Sequence, residues 1–211
     1  MDASSLSAWA SELDSKNTKR RLQALEDLGA ALQSQPPRSS SETASGGGLA
    51  CNYDDNSWQQ IVAPLVRTLR DNNFKVCRAS LACLESLVAR VTEHETARHT
   101  AGRTASGRNG SATSSITPFL SLITPAVVEC LGNSKAAVQE KGIDLLLAVS
   151  EPAVAGGRDT VSSLQRHFAG HRNWRVRERL VAYLGRVAEL DPAGINSIHQ
   201  QQQQQQQQQR G

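Results

Sequence analysis

Leu69-Arg-Asp-Asn-Asn-Phe-Lys-Val76 decides how this chain reads, because the same frame returns twice downstream. Leu131-Gly-Asn-Ser-Lys-Ala-Ala-Val138 and Ala169-Gly-His-Arg-Asn-Trp-Arg-Val176 align with it, and Leu13-Asp-Ser-Lys-Asn-Thr-Lys-Arg20 is a weaker fourth copy. The frames end at residues 20, 76, 138 and 176, at intervals of 56, 62 and 38. Two low-complexity tracts, 34–50 and 93–115, account for the irregularity. With their 17 and 23 residues set aside, the intervals become 39, 39 and 38. A period of about 40 residues in helix–turn–helix units is the mark of HEAT and armadillo repeats.

Those tracts also explain an odd composition. Over 211 residues the hydrophobic fraction is 38% and the aromatic fraction 4%, which is low for a chain long enough to bury a core. The deficit is local. Ser34–Ala50 and Glu93–Ser115 are rich in Ser, Gly, Thr and Ala and poor in large apolar side chains. They bury too little surface to offset the entropy of ordering and are expected to be disordered insertions. Residues 1–190 then form one repeat domain, and 191–211, with ten consecutive glutamines at Gln200–Gln209, form a disordered tail.

The helical expectation is independent of the spacing. Val76, Ala79, Ser80, Cys83, Leu84, Leu87, Val88 and Val91 recur at three and four residues, as one helix face requires. Val138, Ile143, Leu146, Leu147 and Ser150 follow the same rule, as do Val176, Leu180, Val181, Leu184 and Val187. A first helix is expected before each frame, over Leu6–Leu13, Trp58–Arg70, Ile116–Leu131 and Val161–Ala169. Pro64 and Pro125 predict a kink or a late start in two of them. Caps are expected at Asn17 or Thr18, Asn72 or Asn73, Ser134, and Asn173. With no alternating strand pattern, the fold class is all-α, a HEAT-repeat solenoid of about four repeats with two insertions.

In such a solenoid the intra-repeat turns are expected to line one edge. Over residues 14–21, 71–78, 133–140 and 171–178 there are ten basic and four acidic residues, a net of +6 in a chain whose total is +3. The rest of the chain is therefore net −3. Basic residues opening a helix work against its dipole, which favours acids there by ~0.3–1 kcal/mol. Several turns breaking the same local rule point to a site, a ridge that attracts an acidic surface. Phe74 and Trp174 hold one frame position, and an exposed aromatic beside Lys or Arg is a common interface anchor.

At these residues the chain resembles the N-terminal TOG domain of the CLASP (CLIP-associating) proteins, the plant-type ones in particular. The resemblance is carried by Asp71-Asn-Asn-Phe-Lys-Val76, Leu131-Gly-Asn-Ser-Lys135 with Val138, and His171-Arg-Asn-Trp-Arg-Val-Arg177, with Asp14–Arg21 similar to the first turn. It covers about residues 1–33, 51–92 and 116–190. It implies binding of tubulin or microtubules along the turn edge, with roles in microtubule stabilisation and plus-end dynamics, alongside other plus-end proteins. The implied place is the cytoplasmic cytoskeleton, including spindle and cortex. By position it implies contacts from Lys16, Asn17 and Lys19; Asn73, Phe74 and Lys75; Ser134 and Lys135; and Arg172, Trp174, Arg175 and Arg177. The chain departs from the family in having no Trp in the first turn and Gln139 where Arg is usual. The family's paddle has six repeats, so four repeats here imply a truncated version. Trp9, sharing a face with Leu6, Ala10 and Leu13, reads as core.

Other classes find less support. A general HEAT adaptor gripping another acidic partner is the alternative. Nucleic acid is not an expected partner, since a pI near 8.8 is modest and no groove-reading helix is evident. Nor is a membrane, since no stretch reaches ~20 apolar residues, and the N-terminus lacks a secretory h-region. Cys51, Cys77, Cys83 and Cys130 show no CxxC spacing, and Cys77 and Cys83 read as buried free thiols in a reducing compartment. No enzyme is expected. His94 and His99 fall in a tract, His199 adjoins the glutamines, and His167 and His171 have no evident carboxylate partner, so all five read as surface. No cofactor or metal is expected either.

Overall fold

Eight α-helices form from this pattern in a computed structural model, which describes residues 3–34, 59–102, 117–151 and 156–190, with 192, 193 and 196 beyond them. They are α1 (Ala3–Leu13), α2 (Thr18–Ser34), α3 (Gln59–Thr68), α4 (Phe74–Gly102), α5 (Thr117–Leu131), α6 (Ala136–Ser150), α7 (Gly156–Gly170) and α8 (Trp174–Leu190). No strand occurs among the described residues. Each helix pair flanks one of the four frames, so the architecture is the expected all-α repeat. The helices group into two compact units, residues 1–115 with α1–α4 and residues 116–211 with α5–α8.

The late start expected at the two prolines does not occur. Both residues lie inside their helices, Pro64 in α3 and Pro125 in α5, so neither delays a helix start. α2 reaches Ser34 and α4 runs past Glu93 to Gly102. The second tract therefore opens as helix, its Glu, Ala and Arg residues being good helix formers. The rest of both tracts, Cys51 and the glutamine run lie outside the described residues, and the domain boundaries drawn there stay as expectations.

In the first unit, α2 and α4 pack face to face. Leu25, Leu28 and Leu32 of α2 are buried with Val76, Leu81, Cys83, Leu84, Leu87 and Val88 of α4. The Cys83 thiol donates to the Leu25 carbonyl at 3.1 Å. Burial pushes that thiol up to about 12, against the lowering effect of a backbone hydrogen bond at Gly29, so it stays a neutral donor. Arg90 Nε donates to the Leu32 carbonyl at 2.8 Å near the end of α2. Between α3 and α4, buried Thr68 and Ser80 share a 2.7 Å hydrogen bond. Their hydroxyls also lie 2.8 Å from the carbonyls of Leu65 and Val76, so no buried hydroxyl is orphaned. Leu6 and Leu13 of α1 are buried and Trp9 is half-buried.

The second unit is pinned in the same manner. α6 buries Val138, Ile143, Leu145, Leu146, Leu147 and Val149. It lies so close to α5 that a Cβ on Gly142 would stand 3.0 Å from Leu131 Cδ2. The buried face of α8 is Val176, Leu180, Tyr183 and Val187, with spacings of four, three and four. Val181, expected on that face, is 63% exposed, and Tyr183 takes its place. Tyr183 is fully enclosed, and its hydroxyl lies 2.6 Å from Ser150 Oγ of α6. Cys77 and Cys130 are buried free thiols like Cys83. Among the described residues no helix is long and apolar enough to cross a membrane.

Candidate functional site

Each helix pair is joined by a turn of the same build, and the repeat frame stays in register through all four. In the frame's fifth position stand Asn17, Asn73, Lys135 and Asn173. The three asparagines are N-caps. Asn17 Oδ1 accepts from the Lys19 amide at 2.9 Å, Asn73 Oδ1 from Lys75 at 2.9 Å and Asn173 Oδ1 from Arg175 at 3.0 Å. Two residues earlier sits a side chain that accepts from the backbone N–H of the fifth-position residue. These acceptors are Ser15 Oγ at 3.2 Å, Asp71 Oδ1 at 2.8 Å, Asn133 Oδ1 at 2.9 Å and His171 Nδ1 at 3.2 Å. In the first, second and fourth turns the chain thus folds back through two local side-chain bonds before the second helix begins.

The third turn is the exception. Ser134 is exposed and is not the cap expected of it. Lys135 occupies the capping position of α6 with extended backbone and no side-chain cap bond. The following residues are Ala136 and Ala137, where the second and fourth turns have an aromatic and a cation.

A third bond completes the turn from inside. Four residues after the fifth position stand Arg21, Cys77, Gln139 and Arg177. Arg21 Nη1 donates to the Ser15 carbonyl at 2.6 Å, and Arg177 Nη1 donates to the carbonyl of His171. Gln139 Nε2 donates to the Asn133 carbonyl at 2.5 Å. Gln139, where the first and fourth turns have an arginine, therefore makes the same carbonyl bond and is itself buried. Arg177 has its guanidinium turned inward. In the second turn Cys77 Sγ lies 3.2 Å from the Leu69 carbonyl instead.

Within each unit the two turns touch. In the first, Arg21 pairs with Asp71 at 2.7 Å in a mostly buried contact, and Arg67 grips both carboxylate oxygens of exposed Asp14. The buried, hydrogen-bonded pair fixes spacing; the exposed one contributes little on its own. Thr18, Arg21, Asn72, Phe74 and Lys75 line a shallow hollow between these turns. In the second unit, His171 Nε2 faces Glu129 Oε1 at 3.4 Å, with the His171 side chain 9% exposed. His171 thus has the carboxylate neighbour that its sequence context did not suggest, and it is no ordinary surface residue. Gly132 lets the third turn approach the fourth: a Cβ there would lie 2.6 Å from Asn173 Nδ2 and 3.0 Å from Val176. Gly132→Ala is expected to displace the Asn173 cap and cost about 1 kcal/mol, within the usual range for a lost cap. Urea denaturation measures it; a variant as stable as the parent would mean that Asn173 shifts without losing its bond.

What remains outward is a set of cations and two aromatics. Lys16, Asn17 and Lys19 are exposed on the first turn, and Lys75 on the second. Phe74 is 37% exposed and Trp174 59%, both among the largest exposed apolar side chains. Arg175 lies over the Trp174 ring, 5.7 Å from its centroid, a cation–π arrangement that holds both side chains outward. Arg172 is exposed beside them, as are Ser134 and Lys135 on the third turn. Of the residues assigned to the edge, Asn73 is half-buried and its side-chain oxygen is engaged as a cap. Arg21–Asp71, Arg67–Asp14 and Glu129–His171 were missed. In the sequence Asp14 and Asp71 read merely as subtractions from the charge of their frames, and Glu129 lies outside the frames altogether. Among the described residues no group of three His, Cys, Asp or Glu side chains could hold a metal ion.

No family model matches the sequence, and no curated protein matches it. Solved structures do. The chain is similar to the N-terminal domain of MAST/Orbit, with a TM-score of 0.62 and 18% identity over 89% of this chain and 66% of that one. It is also similar to a structure from Crescerin, a protein that uses a TOG domain array to regulate microtubules in the primary cilium. That match has a TM-score of 0.54 and 23% identity, over 82% of this chain and 57% of the other. The chain spans less than two thirds of the length of either. At such identities the likeness is one of fold, and the fold is the HEAT-repeat, TOG-like one.

Proposed function

We propose that this chain is a non-enzymatic, tubulin-binding module of the TOG type, acting through its intra-repeat turns. One observation carries the reading: Trp174 stands 59% exposed at the start of α8 with Arg175 over its ring, on a turn braced from inside by His171, Asn173 and Arg177. A large aromatic left in water beside fixed cations is the composition of an interface anchor. Its natural complement is an acidic protein surface, and the fold is shared with a TOG array that regulates microtubules.

In this reading Lys16, Lys19, Phe74 and Lys75 form the contact surface of the first unit. Arg172, Trp174 and Arg175 form that of the second, with Lys135 and Ser134 contributing less. Asn17, Asn73 and Arg177 hold the turns in shape. In this proposal the module acts at cytoplasmic microtubules, and its resemblance to CLASP proteins supports a part in microtubule stabilisation and plus-end dynamics.

The test is sedimentation with stabilised microtubules and gel filtration with free tubulin at low salt. Co-migration that weakens as salt rises is expected, because exposed charges are screened over about 10 Å at 0.1 M. If the chain migrates alone in both assays, tubulin is the wrong partner. A search for another acidic protein that binds the same edge would then follow.

A further inference from the structure

We propose that His171 is the positioning residue of the fourth turn and makes that turn's grip on Trp174 and Arg175 depend on pH. The four turns need the same inward acceptor, and three use an oxygen: Ser15 Oγ, Asp71 Oδ1 and Asn133 Oδ1. Only the fourth uses an imidazole nitrogen, His171 Nδ1, which accepts from the Asn173 amide. An acceptor nitrogen carries no proton, so the neutral ring holds its hydrogen on Nε2, toward Glu129. Protonation on Nδ1 sets one donor against another at the Asn173 amide.

The consequences follow the bonds outward. Asn173 Oδ1 caps the Arg175 amide, and the Asn173 carbonyl accepts from the Arg177 amide. Arg177 in turn donates to the His171 carbonyl. Loss of the inner bond frees Asn173, and with it the start of α8 that carries Trp174 and Arg175. Histidine is the side chain whose charge ordinarily changes between about pH 5 and 8, so the turn is tight at the alkaline end and loosens at the acid end.

Several charged groups surround the ring. Glu129 of α5 faces it with a carboxylate that is 58% exposed and so partly screened. From α8, Arg177 brings a guanidinium to the His171 carbonyl, and Arg172 adjoins in sequence. On α7, His167 lies with its ring centroid 6.0 Å from that of His171. Its Nε2 is buried and has no hydrogen-bond partner among the described residues. α6, also packed on α7, directs its Asp144 carboxylate to Arg186 of α8. Burial, then Arg166 and His171, lower the His167 pKa, with Glu129 opposing. A histidine lowered in the folded state contributes stability present above its ordinary value and lost as pH falls below it. That works in the same direction as opening of the turn.

The proposal is tested by NMR on the full chain, following the Asn173 and Trp174 amides and the Trp174 indole from about pH 8 to about 5.5. The expected result is a titration of all three signals in the parent that is absent in His171→Asn, while His167→Gln retains it. Asn is the residue that does this job in the third turn, so the variant keeps the acceptor and loses the proton. A flat parent profile, or an unchanged one in His171→Asn, overturns the proposal whether or not tubulin binds. The second readout rests on the tubulin reading. Parent affinity is expected to fall about fivefold relative to His171→Asn over the same range, the scale of one lost hydrogen bond. If the parent binds tubulin at no pH, the partner is wrong while the NMR titration still decides the switch. If it binds and the ratio to His171→Asn stays flat, the turn does not govern the grip and the proposal fails.

Discussion

Trp174→Ala combined with Arg175→Glu is expected to weaken tubulin binding by about thirtyfold or more, roughly 2 kcal/mol, while the protein becomes no less stable. Neither side chain is part of the core. Trp174 is 59% exposed and Arg175 is exposed above its ring, so truncation opens no cavity. Both stand in the first turn of α8, where the dipole favours an acid over a base by ~0.3–1 kcal/mol. Glutamate at 175 should therefore raise the unfolding midpoint slightly. Binding and stability are expected to move in opposite directions, as they should when a local rule has been broken for the sake of a partner. Microtubule sedimentation and thermal denaturation of one preparation give both numbers. Unchanged sedimentation of the folded variant would falsify the assignment of this turn as the contact.

The largest effect on folding is expected at Tyr183→Ala. Tyr183 is fully enclosed between α6 and α8, and removing a buried aromatic costs about 3–5 kcal/mol through lost transfer energy and the cavity left behind. Against a typical total of about 5–15 kcal/mol, that leaves little margin. Tyr183→Phe should be mild, about 1 kcal/mol. Ser150 Oγ keeps its 2.7 Å bond to the Leu146 carbonyl, so no buried hydroxyl is left without a partner. Burial raises the phenol well above its ordinary range, against the lowering effect of the Ser150 bond, which keeps it protonated at any working pH. Urea denaturation distinguishes the two substitutions. A loss near 1 kcal/mol for Tyr183→Ala would mean that α8 closes over the gap.

Helix number and turn register were legible in the residues because their causes are local. A period of 3.6 marks Val76, Cys83 and Leu87 as one face wherever the rest of the chain lies, and an asparagine before a helix caps it within two residues. Asn173 could therefore be placed from the sequence, as could the exposed positions of Phe74 and Trp174, and Asn17 and Asn73 could be narrowed to one of two neighbours. The structure takes Asn17 over Thr18 and Asn73 over Asn72, and in the third turn the cap falls at Lys135, one residue after the expected Ser134. Val181 looked like core because it is apolar and near the right phase. The packing of α8 against α6 selected Tyr183, whose ring fills the gap and whose hydroxyl meets Ser150.

The remaining features join residues 42 to 53 positions apart, and no periodicity reaches that far. Arg21 with Asp71, Arg67 with Asp14, and His171 with Glu129 depend on how one helix pair seats on the next. That seating is set by side-chain volumes and by clearances such as the one at Gly132. The sequence alone determined that this protein is a set of capped helix pairs with basic, aromatic-bearing turns. Only the tertiary structure decided which charges face outward, which hold the turns together, and that one turn rests on a histidine. A charge's role depends on the partner that packing brings within about 3 Å of it.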